Sequence, residues 1–153
     1  MHRPGFLNTL HPWLFTNHHK IHHPAYREYF DISDPKEHKD IGIDTPIIKV
    51  TIPAFLVSLL LGLLISWTGG IVFFSGVVLH MLAWNVFHGE MHKTKDSWLK
   101  KTRIYKFLAR HHYMHHLYPK HNFNIVCILA DYILGSKKYP NNEDIEKLKE
   151  YDL

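Results

Sequence analysis

Two long stretches of this chain carry no Asp, Glu, Lys or Arg, and together they constrain its fold more than any other feature. Residues 50–68 read VTIPAFLVSLLLGLLISWT and residues 71–87 read IVFFSGVVLHMLAWNVF. Gly69 and Gly70 lie between them, a breaker pair. As helix, each run is about 25–29 Å long, close to the ~30 Å thickness of a bilayer's hydrocarbon core. Both runs are apolar on all sides rather than striped, as helices facing lipid are. A helical hairpin buried inside a soluble protein has the same pattern. The rest of a 153-residue chain, however, holds too little apolar sequence to cover two such helices. The expectation is a membrane hairpin over residues 46–88.

The average composition conceals this. Apolar residues make up 46% and charged residues 21%, an ordinary globular balance, and the mean hydropathy is −0.19. That balance excludes a disordered tail, a collagen-like repeat and a disulfide scaffold, and the single Cys127 has no internal partner. Lys and Arg exceed Asp and Glu by 18 − 14 = 4. The excess sits at the base of the hairpin: Lys39 and Lys49 before it, then Lys93, Lys95, Lys100, Lys101, Arg103, Lys106 and Arg110 after it. The tip, residues 67–70, is uncharged, so the positive-inside rule places both polar ends in the cytoplasm. Trp67 suits one interface, and Trp84 and Trp98 the other. Residues 1–20 lack the apolar core of a signal peptide. A basic nucleic-acid-binding domain would be soluble, so the hairpin argues against a nucleic-acid partner. The expected fold is all-α, one domain over residues 1–153, with cytoplasmic helices on the polar side. Residues 141–153 read as a short charged helix after Pro140, a solvated tail.

Histidine is over-represented, with 15 residues, and ten of them fall in three windows. HHKIHH holds His18, His19, His22 and His23; HGEMH holds His88 and His92; HHYMHH holds His111, His112, His115 and His116. Positions i, i+3 and i+4 share one face of an α-helix, so His19, His22 and His23 converge, as do His112, His115 and His116. His88 and His92 form an i,i+4 pair. A lone pair of this kind is usually a polar helix face. Two copies of H-x-x-H-H plus the pair, at both ends of one apolar hairpin, point instead to metal. Neutral imidazole suits Fe, Zn, Cu and Ni. Eight imidazoles exceed the four ligands of a structural zinc, which favours two ions with about four nitrogens each. Ligand type alone leaves zinc and manganese open. An all-imidazole pair with open positions suits dioxygen chemistry on a substrate that lives in the bilayer.

These residues resemble the integral-membrane fatty acid hydroxylase and sterol desaturase superfamily. The matching stretches are H-K-I-H-H at His19–His23, H-G-E-M-H at His88–His92, H-Y-M-H-H at His112–His116 and the run from Asn122 to Ser136. The resemblance covers about Leu10 to Lys138. It implies a non-haem centre of two iron ions, with His19, His22, His23, His88, His92, His112, His115 and His116 as ligands. It also implies dioxygen as co-substrate, an electron donor such as cytochrome b5, and a fatty acyl or sterol substrate that is hydroxylated or desaturated. In a eukaryote it implies the endoplasmic reticulum. The sequence departs from the family at its front, where an earlier histidine pair is expected. His11 can be one member, but Leu7 stands where its partner would be. His11, His18 and His111 are therefore further candidates, and a non-catalytic metal-binding protein is the competing expectation.

Other residues are weighed singly. His80, inside the second apolar run, either lines a lipid channel or bonds a neighbouring helix. Asp131, Asp96 and Glu90 are candidates to orient a ligating imidazole, with a helix cap or solvated charge as the simpler reading. Asn122 and Asn124 read as turn formers, and His2, His38 and His121 as surface residues.

Overall fold

A computed structural model describes residues 16–26, 30–31 and 47–153, the side chains of residues 17, 19 and 47–49 excepted. The regular elements among its described residues are helices, with no β-strand among them. A π-helix, Thr16–His22, runs into a short α1 (His23–Ala25). Next come α2 (Ile47–Leu64), α3 (Trp67–Met91), a 3-10 turn (Leu99–Lys101), α4 (Arg103–Leu117), α5 (Leu129–Ile133) and α6 (Asn142–Glu150). The chain divides into two compact units, one formed by residues 44–86 and the other by residues 1–43 and 87–153.

In the first unit, α2 and most of α3 carry the apolar runs. α3 is long and apolar enough to cross a membrane, whereas the apolar part of α2, Val50–Leu64, is shorter. The break falls at Ile65 and Ser66, not at Gly69–Gly70, which lie within the first turn of α3. The glycines have another use. A Cβ on Gly70 would stand 2.5 Å from the Ser58 carbonyl oxygen. The Ser58 hydroxyl donates to the Gly70 carbonyl at 2.7 Å. Gly70 is therefore a point of close backbone approach between the two helices, where any side chain would push them apart. Ser66 instead supplies the turn, its Oγ accepting from the Gly69 N–H at 3.4 Å.

The second unit is built around α4. Thr102 caps this helix, its hydroxyl accepting from the Tyr105 N–H at 3.2 Å. The buried face of α4 presents Tyr105, Leu108, Ala109, Tyr113 and Met114, but also His111, His112, His115 and His116. Nine histidines are buried among the described residues, so imidazole rather than aliphatic carbon fills much of this core. The C-terminal helix is not a solvated tail. Asn141 and Asp144 form a reciprocal capping box at its start. Leu148 is buried, Tyr118 donates to the Asp144 carboxylate at 3.1 Å, and the Tyr151 hydroxyl accepts from the Phe30 N–H at 3.1 Å. The short charged helix is where the sequence places it, but it docks through Leu148 and Asp144 rather than standing in solvent.

Candidate metal centre

Three chain segments bring their histidines to one place. His22, His88, His92 and His112 offer ring nitrogens that all lie within 4.8 Å of one another, and all four residues are buried. His18, His23 and His115 form a second buried set on the same criterion. His116 touches both. Its Nε2 lies 3.2 Å from His22 Nε2 and 3.1 Å from His112 Nε2, and its ring centroid is 4.8 Å from that of His23. His92 Nε2 is also 3.1 Å from His112 Nε2.

These separations have the size of a coordination edge. For metal–nitrogen bonds of about 2.0–2.1 Å, neighbouring ligand nitrogens stand about 3.0 Å apart at right angles and about 3.4 Å apart in a tetrahedron. The contacts of 3.1–3.2 Å lie between those limits. Hydrogen bonding serves the same atoms poorly. His92 Nδ1–H donates to the Phe30 carbonyl at 2.7 Å, which leaves Nε2 of the neutral ring as a bare lone pair. His112 Nε2–H must then donate to it, and the same proton must be shared with His116. The Nδ1 atoms of His22, His112 and His116 are buried with no hydrogen-bond partner among the described residues. Each unmatched buried polar group costs about 1–3 kcal/mol. A cation bound by the Nε2 lone pairs removes the competition among them for one proton, so the residues present fit a metal.

Protonation is consistent with this. Burial, followed by the proximity of other imidazoles, holds His22, His112 and His116 well below the usual histidine range. Burial also takes His92 down to about 4, against the opposing pull of the Phe30 carbonyl. The rings are therefore neutral at pH 7, the form that binds metal. In the metal-free protein this has a measurable consequence. Between pH 6.5 and about 4 the unfolded chain takes up protons on histidines that the folded chain keeps neutral. Stability therefore falls as pH falls through that window, and the deficit is absent at pH 7. His92 alone contributes about 2 kcal/mol of loss at pH 5. Denaturant midpoints of stripped protein at pH 7, 6 and 5 should fall in that order; a flat series would refute the assignment.

Outer partners fix several rings. His115 Nδ1–H donates to the His121 carbonyl at 2.7 Å, which fixes the ring's tautomer and orientation. His111 Nε2–H donates to Asp131 at 3.0 Å, so His111 serves this carboxylate and belongs to neither converging set. Asp131 also accepts from the N–H groups of Phe123 and Asn124, from the Asn124 amide and from Ser136. Burial alone would raise its carboxyl, but Ser136, Asn124 and His111 outweigh this and hold it down at about 2. Tyr26 lies against His92 at 4.0 Å between ring centroids, and Phe30 stands 5.1 Å from the same ring.

The structure thus brings together His22, His23, His88, His92, His112, His115 and His116, with His18 as the eighth. The His19 side chain, His11, His2 and His38 lie outside the described residues. Asp96 is exposed, and Glu90 pairs with Lys93 at 2.9 Å. His80 is exposed on α3 within the other unit. Two contributors had no side-chain signature to find, namely the carbonyls of Phe30 and His121.

No protein-family model matches this chain, and neither does any curated protein or solved structure.

Proposed function

We propose that this chain is a membrane-bound oxidoreductase that holds two iron ions and uses dioxygen to hydroxylate or desaturate a fatty acyl or sterol lipid. The observation that carries the reading is the convergence of eight buried imidazoles from three separate segments. Bound iron would supply the one-electron chemistry with dioxygen that an unactivated C–H bond requires. His22, His88, His92 and His112 would hold one ion, His18, His23 and His115 the other, and His116 lies within reach of both. The protein's own part is orientation and exclusion. Phe30 and His121 carbonyls fix the tautomers of His92 and His115. The Tyr26 and Phe30 rings wall the cluster beside His92, which lowers access of water.

The lipid substrate follows from the apolar helices. Eleven per cent of the most apolar stretch of α3 is buried, so another apolar phase is needed to cover it, and a bilayer fits. Both polar ends would then face the cytoplasm, where a reductant such as cytochrome b5 can reach the centre.

A second reading is a metal-binding membrane protein without turnover, favoured by Leu7 standing where a histidine of the family's first pair is expected. One experiment separates them. Full-length protein, purified from a host with defined lipids, is assayed for metal while the host lipids are examined by mass spectrometry. About two irons per chain with a lipid that has gained one oxygen, or lost two hydrogens, supports the enzyme. Two metals with unchanged lipids selects the second reading, and absence of metal defeats both.

A further inference from the structure

The segment after α4 has two faces. Its inner side is tied down: Asp131 is fully buried and Asn122 nearly so, with Asn122 accepting from the Lys138 N–H at 2.7 Å and donating to the His111 carbonyl at 3.3 Å. Asn122 takes a positive φ of 53° to do this, a conformation Asn tolerates. The outer side is unlike a water-facing loop. Leu129 is 63% exposed, Ile133 and Leu134 are each 75% exposed, and Tyr132 and Tyr139 stand beside them in sequence. Leu129 and Ile133 fall on one face of α5.

The charges around this apolar cap have one sign. Between Leu117 and Pro140 the acidic residues reduce to Asp131, which is buried, whereas Lys120, Lys137 and Lys138 remain. The Lys137 ammonium lies 3.8 Å from the centroid of the Tyr132 ring and 4.9 Å from that of Tyr139. Lys138 lies 4.1 Å from the Tyr118 ring. Lysines drawn over tyrosine rings at the rim of exposed leucine and isoleucine make an amphipathic edge of the kind found at membrane interfaces.

We propose that residues 129–139 dock on an anionic lipid surface, with Leu129, Ile133 and Leu134 entering the headgroup–acyl boundary and Lys137 and Lys138 meeting lipid phosphates. Interfacial segments of this kind bury their apolar face about 5–10 Å into that boundary. The contact is additional to the membrane span in α3 and independent of which metal the histidines hold.

The single cysteine gives the test. Cys127 is exposed, two residues before α5. Full-length protein labelled there with an environment-sensitive fluorophore is reconstituted into phosphatidylcholine vesicles, with or without phosphatidylglycerol. The expected result is blue-shifted emission, quenched several-fold more by spin labels near the top of the acyl chain than by aqueous iodide, and more strongly with phosphatidylglycerol present. Replacing Ile133→Ser and Leu134→Ser together should cut lipid quenching several-fold while metal content stays unchanged. Water-like emission quenched by iodide would overturn the proposal. So would a signal that depends on protein density alone, which marks a contact between copies, or failure of the chain to float with vesicles.

Discussion

Replacing His112 with alanine should empty at least one of the two proposed metal positions. His112 has no exposed surface, and its Nε2 lies 3.1 Å from the Nε2 atoms of both His92 and His116. Removing it takes a ligand from the set of four and opens the edge shared with His116. Loss of a mere outer partner costs about 10–100-fold in metal affinity. Loss of the ligand itself should exceed that range. The variant also leaves a cavity and bares His92 Nε2, a destabilisation of about 2–4 kcal/mol. Metal content after dialysis reads the first effect and thermal unfolding the second. Met114→Leu provides the control for packing: it changes a buried neighbour on the same helix, should cost under about 1.5 kcal/mol and should keep its metal. Equal metal content in His112→Ala and the parent would remove His112 from the centre.

The three histidine windows were legible because helix periodicity alone predicts which of their members share a face. His112, His115 and His116 obey that rule, because α4 is a regular α-helix. The first window does not lie on one. Thr16–His22 is a π-helix with i→i+5 bonding, a wider turn that carries His18 round to His23 and His115. The α-period favoured His19 with His22 and His23 and left His18 as a spare. A π-turn has no sequence pattern of its own. Gly69–Gly70 misled in a related way. Glycine marks both a turn and a close helix contact, and only the approach of Ser58 distinguishes the two. Asp131 carries no such signal in the sequence, because its donors, two backbone N–H groups and the side chains of His111, Asn124 and Ser136, converge only once residues 122–136 fold back on α4.

That fold-back yields the second large effect. Asp131→Ala should destabilise the chain by about 3–5 kcal/mol, a large part of the 5–15 kcal/mol that typical domains possess. Five donors converge on this carboxylate: Ser136 Oγ at 2.6 Å, the Phe123 and Asn124 N–H groups at 2.9 Å, His111 Nε2 at 3.0 Å and Asn124 Nδ2 at 3.1 Å. Removing the acceptor leaves all five facing a void. Asparagine is no gentler a choice. The Phe123 N–H points at Oδ1 and the Asn124 N–H at Oδ2, so either orientation of the amide sets its NH2 against a fixed backbone donor. Asp131→Asn should therefore lose about 2–4 kcal/mol despite its shape. For a chain of this length each kcal/mol lowers Tm by about 2–4 °C, so drops of roughly 10 °C are expected. Amide exchange at Phe123 and Asn124 should quicken in both variants, which localises the loss. Lys147→Ala, which breaks an exposed i,i+4 pair with Glu143, should melt with the parent. A Tm for Asp131→Asn equal to that of Lys147→Ala would mean that the carboxylate is dispensable and that the packing of residues 122–136 rests on something else.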